Sequence, residues 1–300
     1  MMKENGGVLM SIQSILFRFG AGKSDRKRDS IIPLPSGVTQ VNNISYGPHG
    51  KWNLLDVYYP VDKEYCPVIV NVHGGGYVYG TKEIYKRYCM DLSRRGFTVV
   101  NINYRLAPRW KFPTPLEDIH NAMLWLNQNA RWYHADIRSI FMVGDSAGGQ
   151  LVSQYAAMLT NPNYMALFAL KPLDPGMKLK AVGLNCGLYD IKQVATSHRQ
   201  GLELDYLGKK IANDDPRLAV MDAITPAFPP AHITTAFHDF LQEAAKPMYD
   251  HLCAMGIPCR LNVYGSEEDK ATGHVFHVNI LTPEAIRCND DQCVFFREFL

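Results

Sequence analysis

From Pro67 onward, short runs of apolar and β-branched residues alternate with longer segments of helical period. This alternation is typical of parallel strands joined by crossover helices. The predicted strands of this repeat are residues 67–72, 97–103, 139–143, 180–185, 232–237 and 259–264, and the predicted helices are residues 85–95, 116–129, 149–159 and 242–255. Two earlier runs, residues 40–46 and 53–59, predict an antiparallel pair at one sheet edge. We therefore predict an α/β fold with a mostly parallel central sheet flanked by helices.

Two stretches do not follow the repeat, residues 1–38 and residues 190–228. We expect both to contribute to a small cap, with residues 39–300 forming one catalytic domain that carries the second stretch as an insertion. Within the first stretch, residues 8–19 are apolar apart from Gln13 and Arg18, and they lack the basic start and cleavage site of a signal peptide. They predict an amphipathic helix.

The charge balance excludes some classes of partner. The formal net charge is only +2 and the basic residues are scattered, which argues against a dedicated nucleic-acid partner. The short basic stretch at residues 23–28 could contact a membrane or a polyanion, although such stretches near a terminus are usually solvated. No stretch approaches the roughly twenty apolar residues that span a bilayer. The sequence predicts a soluble protein without a membrane span.

The seven cysteines form an odd set without a CxxC pair. This pattern indicates neither a zinc site nor a complete disulfide framework, and free thiols are typical of a reducing cytoplasm. None of the cysteines lies in a glycine-framed turn that would present it as a nucleophile. We expect a cytoplasmic protein without a metal site.

The sequence Gly144-Asp145-Ser146-Ala147-Gly148 follows the predicted strand 139–143 and opens a predicted helix. A serine hydroxyl needs a base and an exposed position to act as a nucleophile, and a sharp strand-to-helix turn provides that position. Glycines two positions on either side relieve the crowding of such a turn. Ser146 is therefore the candidate nucleophile.

An earlier strand ends in His73-Gly74-Gly75-Gly76. Consecutive glycines let backbone N–H groups point inward, so that together with the N–H of Ala147 they can form an oxyanion hole. We expect His73 to shape this loop by hydrogen bonding and not to act as a base.

Three motifs in order, His73-Gly74-Gly75-Gly76, Tyr104-Arg105-Leu106-Ala107-Pro108 and Gly144-Asp145-Ser146-Ala147-Gly148-Gly149, together resemble the hormone-sensitive-lipase-like branch of the α/β hydrolases. The resemblance runs from about residue 50 to the last residue. It implies the α/β-hydrolase fold and hydrolysis of carboxylic esters without a metal or an organic cofactor. It also implies Gly75, Gly76 and Ala147 as the oxyanion donors.

In this fold the acid and the base follow the serine in the order Ser, Asp or Glu, His. Asp239 follows the predicted strand 232–237, in a loop that resembles the acid-bearing loop of the family. Asp190, after the preceding strand, is the alternative acid, and its other interpretation is a helix cap.

Position along the chain separates the candidate bases. Four histidines after Ser146 are disfavoured because they lie in the presumed cap, at a strand start, beside the acid or inside a helix: His198, His232, His238 and His251. His274 and His277 both follow the last predicted strand. The family usually has His-Gly-Phe here; His274-Val275-Phe276 keeps the spacing, which favours His274, while Val275 departs from the pattern.

These residues predict a serine esterase that acts through an acyl-enzyme on small or short-chain esters, with acyl esters of plant-wall sugars among the candidates. Two alternatives stay open. One is a homologue that binds a small molecule without chemistry, since such scaffolds can lose activity and keep the pocket. The other is a serine peptidase or amidase with the same triad.

Overall fold

The computed structural model describes residues 9–196 and 200–300. Eight strands form one sheet in the order β1-β2-β4-β3-β5-β6-β7-β8. The strands are β1 (Val38–Ser45), β2 (Leu54–Pro60), β3 (Cys66–Val72), β4 (Thr98–Ile102), β5 (Ala135–Asp145), β6 (Leu179–Asn185), β7 (Ala231–Ala236) and β8 (Cys259–Tyr264). β2 is antiparallel to both β1 and β4, and every other pair of neighbours is parallel. The predicted mostly parallel sheet with an antiparallel edge is confirmed.

Ten α-helices lie in the described part of the chain. They are α1 (Ile12–Ile31), α2 (Lys86–Arg94), α3 (Thr114–Asn129), α4 (Ala147–Thr160), α5 (Pro162–Ala166), α6 (Ile191–Thr196), α7 (Gly201–Leu207), α8 (Val220–Ala223), α9 (Gln242–Ala254) and α10 (Pro283–Arg297). Over the described ranges, none of these helices combines the length and the apolar character needed to cross a membrane. The helices of the repeat lie within a few residues of their predicted bounds.

The central strands are buried on both faces, which explains their continuous apolar sequence. Val68, Val70 and Val72 of β3 join the core on one face, and Ile69 joins a second cluster on the other face. This alternation follows from the two-residue period of a strand. Burying each such side chain contributes about 1.5–3 kcal/mol, so the sheet is a rigid platform for the loops at its carboxyl edge.

The two stretches outside the repeat contact each other. The amide and the hydroxyl of Ser11 both donate to the carboxylate of Asp205 in α7, over 3.0 and 2.8 Å. Phe17 of α1 and Leu202 of α7 approach the same glycine, Gly76. α1 and α7 therefore meet above the loop that follows β3.

Candidate active site

Ser146 lies in a tight turn between β5 and α4. Its backbone has φ 52° and ψ −121°, a strained conformation for a residue with a side chain. A Cβ atom on Gly148 would lie 2.1 Å from the carbonyl oxygen of Val72, and one on Gly144 would lie 2.3 Å from the Gly148 carbonyl. The glycine framing is therefore a steric requirement, and it leaves Ser146 half-buried at the cavity wall.

His274 and Asp239 form a hydrogen-bonded pair in loops after the last two strands. Nδ1 of His274 lies 2.7 Å from Oδ1 of Asp239, whose side chain is fully buried. The Leu241 amide and the Thr235 hydroxyl also donate to this carboxylate, over 2.9 and 3.0 Å. Burial alone would raise the pKa of Asp239, but the hydrogen bond and charge of His274 and the Leu241 amide hold it below its usual range. The carboxylate therefore stays ionised and orients the imidazole.

Ser146 and His274 line the same cavity, which has a volume of about 370 Å³. Among the hydrogen bonds of the described residues, none joins the two side chains directly. Catalytic hydrogen bonds are often long before substrate binds and tighten in the reacting complex. The shared cavity brings the predicted nucleophile and base to one site.

The two competing residues have different surroundings. Asp190 is exposed and accepts a hydrogen bond from the Gln193 amide over 2.9 Å, at the start of α6. His277 is buried beside Tyr88, and its two ring nitrogens lack hydrogen-bond partners over the described ranges. Burial lowers the pKa of His277 to about 3. Neither residue lines the cavity that holds Ser146.

The other candidate histidines that the structure describes also lie apart from the cavity lining. His232 lies in β7, where burial lowers its pKa to about 4, and His251 lies in α9. His238 is next to Asp239, and its ring contacts the Glu267 carbonyl. His198 lies outside the described residues.

The loop after β3 presents the glycine amides predicted as oxyanion donors. Gly75 and Gly76 have φ values of 109° and 56°, and a Cβ on Gly75 would lie 2.3 Å from the Tyr79 carbonyl oxygen. Over the described residues, neither amide donates a hydrogen bond, whereas the Gly75 carbonyl accepts from Val78 and Tyr79. Ala147 begins α4, where first-turn amides have no partner inside the helix. These donors are free to bind an anionic oxygen.

His73 has a structural environment. Its ring is buried, stacks on Tyr104 with centroids 4.2 Å apart and has Nδ1 2.8 Å from the Gly74 carbonyl. Burial lowers its pKa to about 4. This neutral, stacked ring supports the glycine loop, in line with the role expected for it.

Two buried residues that sequence reasoning left without a role link the serine turn to the glycine loop. The Tyr85 hydroxyl donates to Oδ2 of Asp145 over 2.7 Å and accepts from the Gly74 amide over 3.1 Å. Burial raises the pKa of Asp145 to about 6, although the Tyr85 hydrogen bond opposes the shift. The position beside Ser146 was the only sequence signal for Asp145, and Tyr85 had none.

Helix α1 supplies a polar wall to the cavity that the sequence did not reveal. Asp25 and Arg28 line the cavity and pair over 3.0 Å, and the Tyr79 hydroxyl donates to Asp25 over 2.8 Å. Asn279 lines the cavity too, and its side-chain oxygen has no partner over the described ranges. The site is therefore apolar in part and hydrogen-bonding in part.

Among the described side chains, Cys186, Asp239 and His274 form one group that could bind a metal ion. Their candidate ligand atoms lie within 4.8 Å of one another. The contact between Asp239 and His274 is already a hydrogen bond, and burial raises the pKa of the Cys186 thiol well above its usual value. A thiol ligand must be deprotonated to bind a metal, which this burial opposes. The group is better suited to orienting the imidazole.

A mostly parallel sheet with a central strand that runs into a strained serine turn is the architecture of the α/β hydrolases. Residues 69–278 match the model of a family described as having the alpha/beta hydrolase fold. The chain belongs to this family, the hormone-sensitive-lipase-like α/β hydrolases.

Curated relatives agree with that family, and a solved structure shares the fold. The chain is 33% identical to probable carboxylesterase 6 of Arabidopsis thaliana over 178 residues, which are 54% of this chain and 53% of the relative. It is 28% identical to an arylesterase of Saccharolobus solfataricus over 222 residues, 68% of each chain. The chain thus spans about half the length of the first relative. The fold matches esterase B of Lactobacillus rhamnosis with a TM-score of 0.88, at 21% identity over 96% of this chain and 94% of that one.

Proposed function

We propose that this protein is a carboxylic-ester hydrolase with Ser146 as nucleophile, His274 as general base and Asp239 as the acid that orients it. The observation that supports this most directly is the 2.7 Å pair of His274 and Asp239 facing the cavity of a strained serine turn. The carboxylesterase and arylesterase relatives support the same bond type.

In the proposed reaction, Nε2 of His274 takes the Ser146 proton while the serine oxygen bonds to the ester carbonyl carbon. The resulting oxyanion is held by the amides of Gly75, Gly76 and Ala147. His274 then donates its proton to the leaving alcohol oxygen as the carbon–oxygen bond breaks, which leaves an acyl-enzyme. Water, deprotonated by His274, attacks the acyl carbon; the bond from that carbon to the Ser146 oxygen then breaks, His274 returns the proton to this oxygen, and the acid is released. Asp239 stays ionised and stabilises the imidazolium at both steps.

We propose that residues 1–38 and 190–228 act as a cap on a catalytic domain formed by the rest of residues 39–300. The contact of α1 with α7 and the α1 side chains in the cavity wall support this division. Such a cap would restrict the size of the substrate.

Small or short-chain esters are the proposed substrates. A cavity of about 370 Å³ lies at the low end for small-molecule sites. A long alkyl chain against Asp25 and Arg28 would remove water from charged groups without replacing its hydrogen bonds. A hydroxyl-bearing ester avoids this cost, which keeps acyl esters of plant-wall sugars among the candidate substrates.

The substitution Ser146→Ala tests the proposed nucleophile. Hydrolysis of p-nitrophenyl acetate should fall on the order of 10⁴-fold or more, and covalent labelling by a fluorophosphonate probe should be lost. Ser30→Ala, an exposed serine at the far end of α1, is the matched control and should keep both properties. A wild-type chain that folds but neither labels nor hydrolyses esters would support the non-catalytic binding protein instead.

Comparing the turnover of the acetyl ester and the acetyl amide of the same aromatic group distinguishes an esterase from an amidase. The proposal expects turnover of the ester to exceed that of the amide by several orders of magnitude, because the aromatic oxygen leaves as a weak base, whereas the amine nitrogen must be protonated before the carbon–nitrogen bond breaks. Comparable kcat/KM values for both substrates would favour the peptidase or amidase alternative.

A further inference from the structure

The outward face of α1 begins with a row of exposed apolar side chains. Ile12, Leu16 and Phe19 are 61%, 65% and 71% exposed. Their spacing of four and three residues places them on one helix face, along about 10 Å of its axis. Single exposed apolar residues are ordinary, but a row of large ones on a helix face indicates an interaction surface.

The same face continues into a basic row. Lys23, Arg26 and Lys27 are all exposed and follow Phe19 at helical spacing. Within the part of the chain that the structure describes, no ion pair joins these three cations to an acidic group. The acidic residues of this segment, Asp25 and Asp29, pair with Arg28, and Asp25 also attracts Arg26, whose guanidinium lies beside the buried Gly22. The outer face therefore carries the positive charges of Lys23 and Lys27 without a compensating carboxylate.

The inner face of α1 is fixed to the body of the protein. The guanidinium of Arg28 donates to the Ile84 carbonyl over 2.6 Å, and that of Arg18 donates to the Val78 carbonyl over 2.6 Å. Gly22 is buried against Tyr79. Because these contacts hold the helix in place, the outer row is a pre-formed surface and needs no refolding to bind.

We propose that the outer face of α1, defined by Ile12, Leu16, Phe19, Lys23, Arg26 and Lys27, binds the surface of a lipid bilayer that contains anionic lipids. Helices that lie on membranes combine bulky apolar side chains that enter the headgroup region with Lys and Arg that pair with anionic headgroups. The helix lies on the bilayer and does not cross it, in keeping with its basic residues.

A second copy of this chain is a poorer occupant for the same face. Two copies related by a twofold axis present identical surfaces to each other, so the basic row would be buried against apolar or basic groups. Burying charges without partners costs several kcal/mol. Anionic lipid supplies both the apolar layer and the negative charge that this face lacks.

The test is flotation of the purified full chain with vesicles of phosphatidylcholine alone or mixed with phosphatidylglycerol. The wild type should float with the mixed vesicles, and much less with the neutral ones. The double variant Lys23→Gln with Lys27→Gln should bind about thirtyfold more weakly, since each cation near an anionic surface contributes about 1 kcal/mol. The double variant Leu16→Gln with Phe19→Gln should lose affinity on the order of tenfold or more.

The control is Val294→Gln on α10, which removes an apolar side chain of 53% exposure away from this face and should bind like the wild type. Circular dichroism and the hydrolysis of a soluble ester check that each variant is folded. Equal flotation of wild type and both double variants, or no flotation of the wild type at low salt, would overturn the proposal. A change of oligomeric state on gel filtration without lipid, caused by Leu16→Gln with Phe19→Gln, would instead assign the face to a second copy. Flotation uses no substrate, so its result does not depend on the proposed activity.

Discussion

At the scale of single residues, Asp239 and Asp190 show how surroundings decide which carboxylate serves His274. Asp239 is buried and hydrogen-bonded to the imidazole, while Asp190 is exposed and caps α6. Asp239→Asn should lower kcat on the order of 10⁴-fold, because an amide neither holds the reactive tautomer nor stabilises the imidazolium. Asp190→Asn is the matched control and should change kcat little. Steady-state kinetics with a p-nitrophenyl ester measures both, and the reverse ranking would assign the acid to Asp190.

Asp145 makes stability depend on pH. Burial raises its pKa from the ordinary 3.8 to about 6, so between these values the native state binds more protons than the unfolded state. Its contribution to the free energy of unfolding is therefore present at low pH and lost as the pH rises through about 6. Asp145→Asn cannot ionise, so its stability relative to the wild type should rise by up to about 3 kcal/mol from pH 4 to pH 7.

Urea unfolding of both proteins at the two pH values measures this difference. The exposed Asp190→Asn serves as the control and should show no such change relative to the wild type. An equal stability difference at pH 4 and pH 7 would contradict the raised pKa of Asp145.

The residues of the site could be predicted where a local pattern carries their role. The turn at Ser146 and the glycine loop have strict steric needs, so their glycines mark them in the sequence. Asp239 and His274 required the order of the strands as well, because 35 residues separate them. Asp25 could not be predicted, since its place in the cavity wall depends on how α1 packs against Tyr79.

At the scale of elements, Ser11 contributes two hydrogen bonds to the contact between α1 and α7. Ser11 caps α1 by accepting from the Ser14 amide over 3.2 Å, and it donates to Asp205. Ser11→Ala should lower the free energy of unfolding by about 1–2 kcal/mol through loss of the cap and of the hydroxyl bond to Asp205, while the amide bond to Asp205 remains. Chemical denaturation measures the loss. Ser30→Ala, at the opposite end of α1, should unfold like the wild type, and an equal loss in both variants would refute the special role of Ser11.

Within the βα repeat, the sequence predicted the bounds of the helices and strands closely. Outside the repeat, its predictions were less accurate. The sequence predicted a helix ending at Phe19, but α1 continues to Ile31. Gly20 and Gly22 lower helix propensity there, and tertiary contacts of Gly22 and Arg28 outweigh that effect. α10 was not predicted, although Thr282 and Pro283 form a typical helix start. Val8, the predicted first residue of the helix, lies outside the described residues.

At the scale of the whole molecule, burial in the core determines which cysteine thiols are accessible to reagents. Five of the seven cysteines are buried, whereas Cys253 is exposed and Cys259 is half-buried with its sulfur 3.4 Å away. An Ellman titration of the native protein should modify Cys253 quickly and Cys259 more slowly, because burial and the neighbouring Cys253 raise the pKa of the Cys259 thiol, and all seven thiols should react only after denaturation. Cys253→Ser should remove the fast phase. Rapid reaction of more than two thiols in the folded wild type would show that the core opens on that timescale.

The hydrogen bond from Ser11 to Asp205 joins residues 194 positions apart, and His274 comes later still. During synthesis, α1 leaves the ribosome long before α7, one of the segments that it contacts. Until α7 arrives, the hydrogen bonds between Ser11 and Asp205 cannot form. Closing so long a loop is slow compared with forming local helices. The cavity is therefore one of the last features to assemble, and a partly made chain carries the serine turn without a working site.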